Sequence, residues 1–184
     1  RVISECVMAV FHFDKWKSDP KKMCDYLNDN SSLDEYKTIE AYFNRLIPYS
    51  DKLEHPNIAA LFKTKSLAVW MMVFDKFAEM NIDDTYFGEF LEEFVVSMGE
   101  TPVNNITWHE LDTDKHTKDK TVMEHKFNHI TYLMGKFMDD HVDVKTENAY
   151  VEEENTQDNT EVEKSTLEFV KENVSEDVDS EDIE

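Results

Sequence analysis

Apolar residues recur every three or four positions through most of the first 138 residues, and polar residues separate them. This spacing places the apolar side chains on one face of an α-helix. It predicts six helices, over residues 2–13, 20–30, 33–47, 64–80, 84–98 and 119–138. No segment repeats another in sequence. We therefore expect an all-α fold, an irregular bundle of about six helices.

Local signals mark where several of these helices begin or end. Asp19 is a residue that often caps a helix N-terminus, and Pro20 follows it at the first helical position, where proline is favoured. Ser32 and Glu35 have the spacing of a capping box at the start of the next helix. Gly99 suits the position just beyond the helix of residues 84–98.

The helix of residues 64–80 is the strongest candidate for the centre of the core. Its apolar side chains cover nearly every face, and a helix of that kind is normally buried between others. The helix of residues 84–98 carries a single apolar stripe instead. The core candidates in residues 64–80 are Leu67, Ala68, Val69, Trp70, Met71, Met72, Val73, Phe74, Phe77, Ala78 and Met80.

Charge divides the chain near residue 138. Residues 1–138 carry 16 basic and 23 acidic side chains, whereas residues 139–184 carry 3 basic and 18 acidic ones. The second segment has too little apolar surface to offset the conformational entropy lost on ordering. We therefore predict a helical domain over residues 1–138 and an acidic, largely disordered tail over residues 139–184. The alternative for the tail is a marginal helix that contains Val162, Leu167, Phe169, Val170 and Val174.

Composition excludes several other classes of protein. Apolar residues make up 40% of the chain and aromatic residues 12%, which is too much for a wholly disordered protein. The chain has 3 glycines and 4 prolines, and a many-turned β-sandwich or barrel needs more of both. No apolar run approaches the ~18 residues of a membrane-spanning helix.

The start of the chain and its cysteines bear on its context. The sequence begins at Arg1 without an initiator methionine and enters a helical pattern at once. We expect a fragment of a longer protein, although a trimmed chain would begin in the same way. The start has no signal-peptide pattern. Cys6 and Cys24 lack the spacing of a CxxC motif, so we expect two buried, reduced thiols in a cytoplasmic protein; their number would also allow one disulfide.

Residues 115–120 form the clearest basic segment in this acidic chain, with Lys115, Lys118 and Lys120. Three lysines beside a helix N-terminus could contact a phosphate group of DNA. A solvated loop with a helix cap is the alternative for the same residues. If the fold brings this segment onto a second basic stretch, a phosphate-contacting face gains support. The second stretch, around Trp16, contains Lys15, Lys17, Lys21 and Lys22.

His125 and His129 are four residues apart on a predicted helix, so both rings could reach one metal ion. The zincin motif requires Glu directly after the first histidine, and this chain has Lys126 there. We therefore expect no metal and no cofactor, with the pair on a solvated flank of the helix. His125 and His129 are kept as weak candidates for metal ligands. A third ligand would have to come from His109, Glu110, His116 or elsewhere.

Carboxylates are abundant, and no pair of them stands out as catalytic. An acid–base enzyme needs two acids in one pocket whose environments separate their pKa values. Asp83 and Asp84 are expected at a helix N-terminus, where negative charge is favourable. We therefore assign no catalytic residue. The other acidic pairs are Glu92 with Glu93, and Asp112 with Asp114.

Three stretches of sequence carry a family resemblance. They are ISECVMAVFHFDKWKSDPKKMCDYLNDN (residues 3–30), LFKTKSLAVWMMVFDKFAEMNIDDTYFGEFLEEF (residues 61–94) and HTKDKTVMEHKFNHI (residues 116–130). In the order and pattern of its helical segments, the part up to residue 138 resembles the C-terminal helical region of the large bacterial GmrSD-type, ParB-like family. That family is associated with modification-dependent DNA restriction and phage defence.

The resemblance implies a chain whose chemistry lies in another domain. In that family an amino-terminal ParB-like domain carries the nucleotide-dependent chemistry with a D-G-Q-Q-R-like segment, and a His-Asn-His nuclease is a frequent partner domain. Neither motif occurs here. The chain has no D-G-Q-Q-R-like segment, and His55-Pro56 is not followed by the nuclease pattern. The resemblance implies a non-catalytic helical module that follows a missing domain of a nucleotide-dependent endonuclease. Lys118, Asp119 and Lys120 are the positions at which we would test for a feature shared with that family.

Three functions are compatible with these patterns. The first is a helical module of a GmrSD-like protein that supports the upstream domain, mediates assembly or contacts the DNA backbone. The second is a self-standing acidic protein-interaction module, whose tail binds basic partners or mimics nucleic acid. The third is a metal-dependent enzyme built on His125 and His129. An exposed apolar face on the first helices favours the first function, because a separated interface leaves such a patch.

Overall fold

The structure, a computed structural model, describes residues 1–51, 54–113 and 115–142. These residues are mainly helical and contain no β-strand, so the predicted all-α class is confirmed. The part up to Met138 forms one compact unit. Among the described helices, none has the length and apolar character to span a bilayer. The α-helices are α1 (Val2–Phe11), α2 (Pro20–Asn30), α3 (Leu33–Leu46), α4 (Pro56–Leu61), α5 (Leu67–Glu79), α6 (Asp84–Val96), α7 (Trp108–Leu111) and α8 (residues 120–142).

The six predicted helices correspond to α1, α2, α3, α5, α6 and α8. The short helices α4 and α7 were not predicted. α4 begins at Pro56, and α7 begins after a capping box formed by Thr107 and Glu110. α8 continues to Val142, beyond the predicted domain end. The rest of the predicted acidic tail, with its alternative helix, lies outside the described residues.

The predicted N-caps are present, and the predicted glycine cap is wrong. The side chain of Asp19 accepts a hydrogen bond from the backbone nitrogen of Lys22 at 2.9 Å. Ser32 and Glu35 exchange side-chain and backbone hydrogen bonds as a capping box. Gly99 lies inside a short 3₁₀ helix, because α6 has already ended at Val96.

α5 forms the centre of the core and packs against α1 and α3. Phe74 of α5 and Phe87 of α6 have ring centroids 4.9 Å apart, and Trp70 and Phe94 have theirs 5.1 Å apart. Both pairs are edge-to-face, the arrangement that aromatic quadrupoles favour. The predicted core helix is thus confirmed, except that Leu67 and Ala78 are only half-buried and Met80 is exposed because it lies beyond the end of α5.

The two cysteines differ in their surroundings. Cys6 is buried in α1, and Cys24 is exposed on α2; both are free thiols. The prediction of two buried thiols is therefore wrong for Cys24, whose neighbours Met23 and Leu27 turn inward while Cys24 faces solvent. Burial raises the pKa of the Cys6 thiol to about 12.

Candidate functional site

The two basic segments of the sequence lie against each other. The indole Nε1 of the buried Trp16 donates a hydrogen bond to the backbone oxygen of Lys118 at 2.9 Å. The ammonium of Lys120 donates to the backbone oxygen of Asp14 at 2.9 Å, and it lies 5.5 Å from the centre of the Phe13 ring. The stretch around Trp16 and the segment before α8 therefore form one surface.

Lys118 is held within this junction. Its Nζ lies 2.6 Å from Oε2 of Glu5, and Glu5 is buried in α1. Arg1 also approaches Glu5, with 3.1 Å between Nε and Oε1. Because opposite charges at this distance largely cancel in the field they produce farther away, Lys118 adds little attraction for a phosphate group.

Of the three predicted phosphate ligands, Lys115 and Lys120 are exposed at the surface. Lys17 and Lys22 of the second basic stretch are exposed as well. Acidic groups lie among them, and a hydrogen bond from Lys15 holds the pKa of Asp14 below its ordinary value. The surface is therefore of mixed charge. Lys15 forms an ion pair with Asp14 at 3.1 Å and Lys21 with Asp25 at 3.3 Å, and Nδ1 of His116 lies 3.0 Å from Oδ2 of Asp119.

His125 and His129 have unequal environments on α8. His125 is exposed, whereas His129 is only 4% exposed, so the predicted solvated flank is wrong for His129. Burial lowers the pKa of the His129 imidazole below its ordinary value. Both residues line a surface depression of about 490 Å³ between α8 and the turn of residues 102–106. Among the described residues, no three His, Cys, Asp or Glu side chains are grouped to hold a metal ion.

The acidic pairs serve as caps and ion-pair partners. Oδ1 of Asp83 accepts a hydrogen bond from the backbone nitrogen of Thr85 at 2.8 Å, which caps α6 as predicted. Asp84 accepts a hydrogen bond from Nε of Arg45 at 2.9 Å. Glu92 is exposed on α6. Asp114 lies outside the described residues.

Sequence reasoning missed a buried ion pair between Lys126 of α8 and Asp112. Nζ of Lys126 is fully buried, 2.8 Å from Oδ1 of Asp112 and 5.4 Å from the centre of the Trp108 ring. A signal for it was available. Lys126 is three residues after Met123 and four before Ile130, which places it on the apolar face of α8. A charged side chain in that position needs a partner.

An apolar groove lies on α1 and α3. Ile3 is 52% exposed and Leu33 is 70% exposed, although both are large apolar residues. They line a groove of about 460 Å³ together with the partly buried rings of Tyr36 and Phe43. The remaining lining residues are Lys37, Glu40 and Asn44.

Comparison of the chain with models of known protein families, with curated proteins and with solved structures finds no match.

Proposed function

We propose that this chain is a non-catalytic helical module of a GmrSD-like, ParB-like DNA restriction or phage-defence protein. In this proposal it supports a nucleotide-dependent catalytic domain that precedes it in the parent protein. The observation that carries the proposal is the groove on α1 and α3, in which the large apolar side chains of Ile3 and Leu33 are exposed.

The position and chemistry of the groove support this assignment. A contiguous patch of large, exposed apolar side chains often indicates a surface that binds another protein. Ile3 is two residues from Arg1, so any residues that precede Arg1 would emerge beside the groove. A preceding domain could therefore cover Ile3 and Leu33 without a long linker.

The acidic interaction module has less support from the described residues. That alternative predicts a surface without an exposed apolar patch. The groove on α1 and α3 is an exposed apolar patch, so it counts against this alternative. The metal-dependent enzyme is also less supported, because His129 is buried and no third ligand is grouped with the pair among the described residues.

Contact with the DNA backbone is a secondary part of the proposal. Lys115 lies at the surface before α8 and Lys120 at its first residue, whereas the charge of Lys118 is paired with Glu5. A net-negative domain with a mixed-charge surface binds DNA weakly, and such binding falls steeply with salt. We therefore assign these lysines an auxiliary role beside the main interface.

The test uses the reading frame that encodes this chain, extended upstream of the codon for Arg1. We expect the frame to continue into a ParB-like domain with a D-G-Q-Q-R-like segment. That domain, produced separately, should bind this chain, and Leu33→Glu should weaken the binding about tenfold or more by placing a charge in an apolar contact. The matched control is Ala41→Glu, which adds the same charge at an exposed position of α3 outside the groove.

Two outcomes would overturn the proposal. The first is a start codon directly before Arg1, with no ParB-like domain in the frame. The second is equal binding of the parent chain, Leu33→Glu and Ala41→Glu to the upstream domain. Circular dichroism of each variant establishes that a loss of binding does not come from loss of the fold.

A further inference from the structure

The depression beside α8 has two walls of different construction. On one wall, His125, Asn128, His129 and Tyr132 follow each other at three- and four-residue spacing, so they share one face of the helix. The other wall is the turn of residues 102–106 together with Leu111 of α7. The two walls belong to segments well separated in sequence, and only the tertiary structure brings them together.

The turn is a defined structure. Val103 donates its backbone N–H to the oxygen of Ile106 at 2.9 Å, and Ile106 donates to the oxygen of Val103 at 3.1 Å. Between them, Asn104 has φ 52° and Asn105 has φ 65°. Two central residues with positive φ are the signature of a type I′ turn, in which Asn is a preferred residue. This wall is therefore formed before any ligand arrives.

The charge of the lining indicates an uncharged ligand. None of the residues that line the depression is Asp, Glu, Lys or Arg. A charged ligand would lose part of its hydration there without gaining a counter-charge, which is costly. Burial lowers the pKa of His129, so this imidazole is neutral near pH 7.

The polar groups of the lining suit a flat ring with hydrogen-bonding edges. Nε2 of His129 is buried and has no hydrogen-bond partner in the described part of the chain. The side-chain amides of Asn104 and Asn128 each provide both donors and an acceptor. His125 and Tyr132 are exposed rings at the rim, on which a planar ligand can stack. Lys136, which does not line the depression, lies over the Tyr132 ring at 4.9 Å from its centre.

We propose that this depression binds a single nucleobase. The base stacks against the ring of His125 or Tyr132, and the amide of Asn128 pairs with its donor and acceptor edge, as Asn does with adenine. The volume of about 490 Å³ is within the range of small-molecule sites, roughly 300–1,000 Å³. The site is distinct from the groove on α1 and α3 and does not depend on the function proposed for that groove.

The test is a titration followed by amide resonances of α8 in the whole chain. The probes are the four free deoxynucleosides, a single-stranded DNA oligonucleotide, and the same oligonucleotide with abasic sites throughout. We expect at least one base-containing probe to shift resonances around Asn128, and the abasic strand to leave them in place. Binding by free nucleosides identifies a nucleoside as the source, whereas binding by the oligonucleotide alone identifies a base within a strand.

Three variants separate this site from general DNA binding. Asn128→Asp keeps the size of the side chain and removes its amide donors, and we expect it to weaken binding of the preferred base about tenfold. Tyr132→Ala should have a similar effect, since stacking on an aromatic ring stabilises base binding by that order. Glu124→Gln, at an exposed position of α8 outside the depression, is the control and should bind as the parent does.

The proposal is overturned if no nucleoside and no oligonucleotide shifts the α8 resonances. It is also overturned if Asn128→Asp and Tyr132→Ala, each folded by circular dichroism, bind every probe as tightly as the parent chain. Equal shifts by the abasic strand and the intact strand would likewise contradict it, because the contact would then be to the backbone.

Discussion

The carboxylate of Glu5 in α1 accepts a hydrogen bond from the ammonium of Lys118, with 2.6 Å between Oε2 and Nζ across a separation of 113 positions. Glu5 is only 4% exposed, so contacts with Lys118 and Arg1 replace most of the water around its carboxylate. The backbone oxygen of Lys118 also accepts a hydrogen bond from the indole Nε1 of Trp16. Lys118, which sequence analysis placed among candidate DNA contacts, therefore joins the start of the chain to the segment before α8.

Replacement of Lys118 by methionine should destabilise the fold. Lys118→Met leaves Glu5 buried with Arg1 as its remaining cation, and loss of one partner of a buried pair costs about 3 kcal/mol. Urea unfolding measures the change in the free energy of unfolding. The control is Lys115→Met at an exposed position, which should stay within about 0.5 kcal/mol of the parent. Equal stability of the two variants would contradict a structural role for Lys118.

DNA affinity separates the paired lysine from the exposed ones. Lys115→Ala/Lys120→Ala should weaken binding to duplex DNA at low salt, because both ammonium groups lie at the surface. If each contacts one phosphate, the slope of log affinity against log salt should become shallower by about 2. Electrophoretic mobility shifts at several salt concentrations measure both quantities. Affinities equal to that of the parent would remove this surface as a DNA contact.

Acid should destabilise the protein through His129. Its pKa is lowered in the folded state by burial, so below about pH 6.5 the unfolded chain binds a proton that the folded chain does not. The free energy of unfolding therefore falls as the pH drops from about 6.5 towards the folded pKa. His129→Gln should make this decline shallower, and Asn128→Gln, a substitution of one non-titrating side chain by another at an exposed position of α8, should leave it unchanged. A slope that is the same in all three proteins would contradict this assignment.

The two thiols should react at different rates in the native protein. Cys24 is exposed, whereas burial raises the pKa of Cys6 to about 12, so Cys6 has neither access nor thiolate character at neutral pH. We expect iodoacetamide to modify Cys24 alone under native conditions and both residues in urea. Peptide mass spectrometry locates the modified residue. Native labelling of Cys6 at the rate of Cys24 would show that α1 is not buried as described.

Two glycines in helices should respond to alanine in opposite directions. A Cβ at Gly88 would overlap the ring of Tyr49, whose hydroxyl donates to the backbone oxygen of Asp84 at 3.0 Å. We expect Gly88→Ala to destabilise the fold by about 1–3 kcal/mol. Nothing lies within 4 Å of a Cβ at Gly135 in α8, and Gly135→Ala should stabilise it by about 0.4–1 kcal/mol. Thermal unfolding of both variants checks the pair, and a stabilising Gly88→Ala would contradict the close approach.

The longer helices could be predicted because their signals are local. The apolar run of α5, the apolar stripe of α6 and the caps at Asp19 and Ser32 all depend on residues a few positions apart. The short helices α4 and α7 gave too few turns for a periodic pattern. Thr107 and Glu110 nevertheless have the capping-box spacing that marks a helix start, and α7 begins there.

The candidate sites could be predicted less well, because their chemistry depends on partners that are distant in sequence. The sequence identified Lys118 as basic, but not that Glu5 would pair with it. It identified His125 and His129 as neighbours on one helix face, but not that the turn of residues 102–106 would lie against them. The sequence did not predict the groove around Leu33. It predicted only that an exposed apolar face on the first helices would favour the helical module over the acidic interaction protein.

The sequence by itself determined the all-α class, the six longer helices and the central place of α5, since backbone propensity and apolar periodicity act over a few residues. The tertiary structure alone decided which partner each lysine has. Lys118 and Lys126 have the same ionisable group as Lys115, yet packing pairs the first with Glu5 and the second with Asp112, and it leaves Lys115 in solvent. Burial removes water from an ammonium group, and only a partner brought close by the fold can replace that hydration.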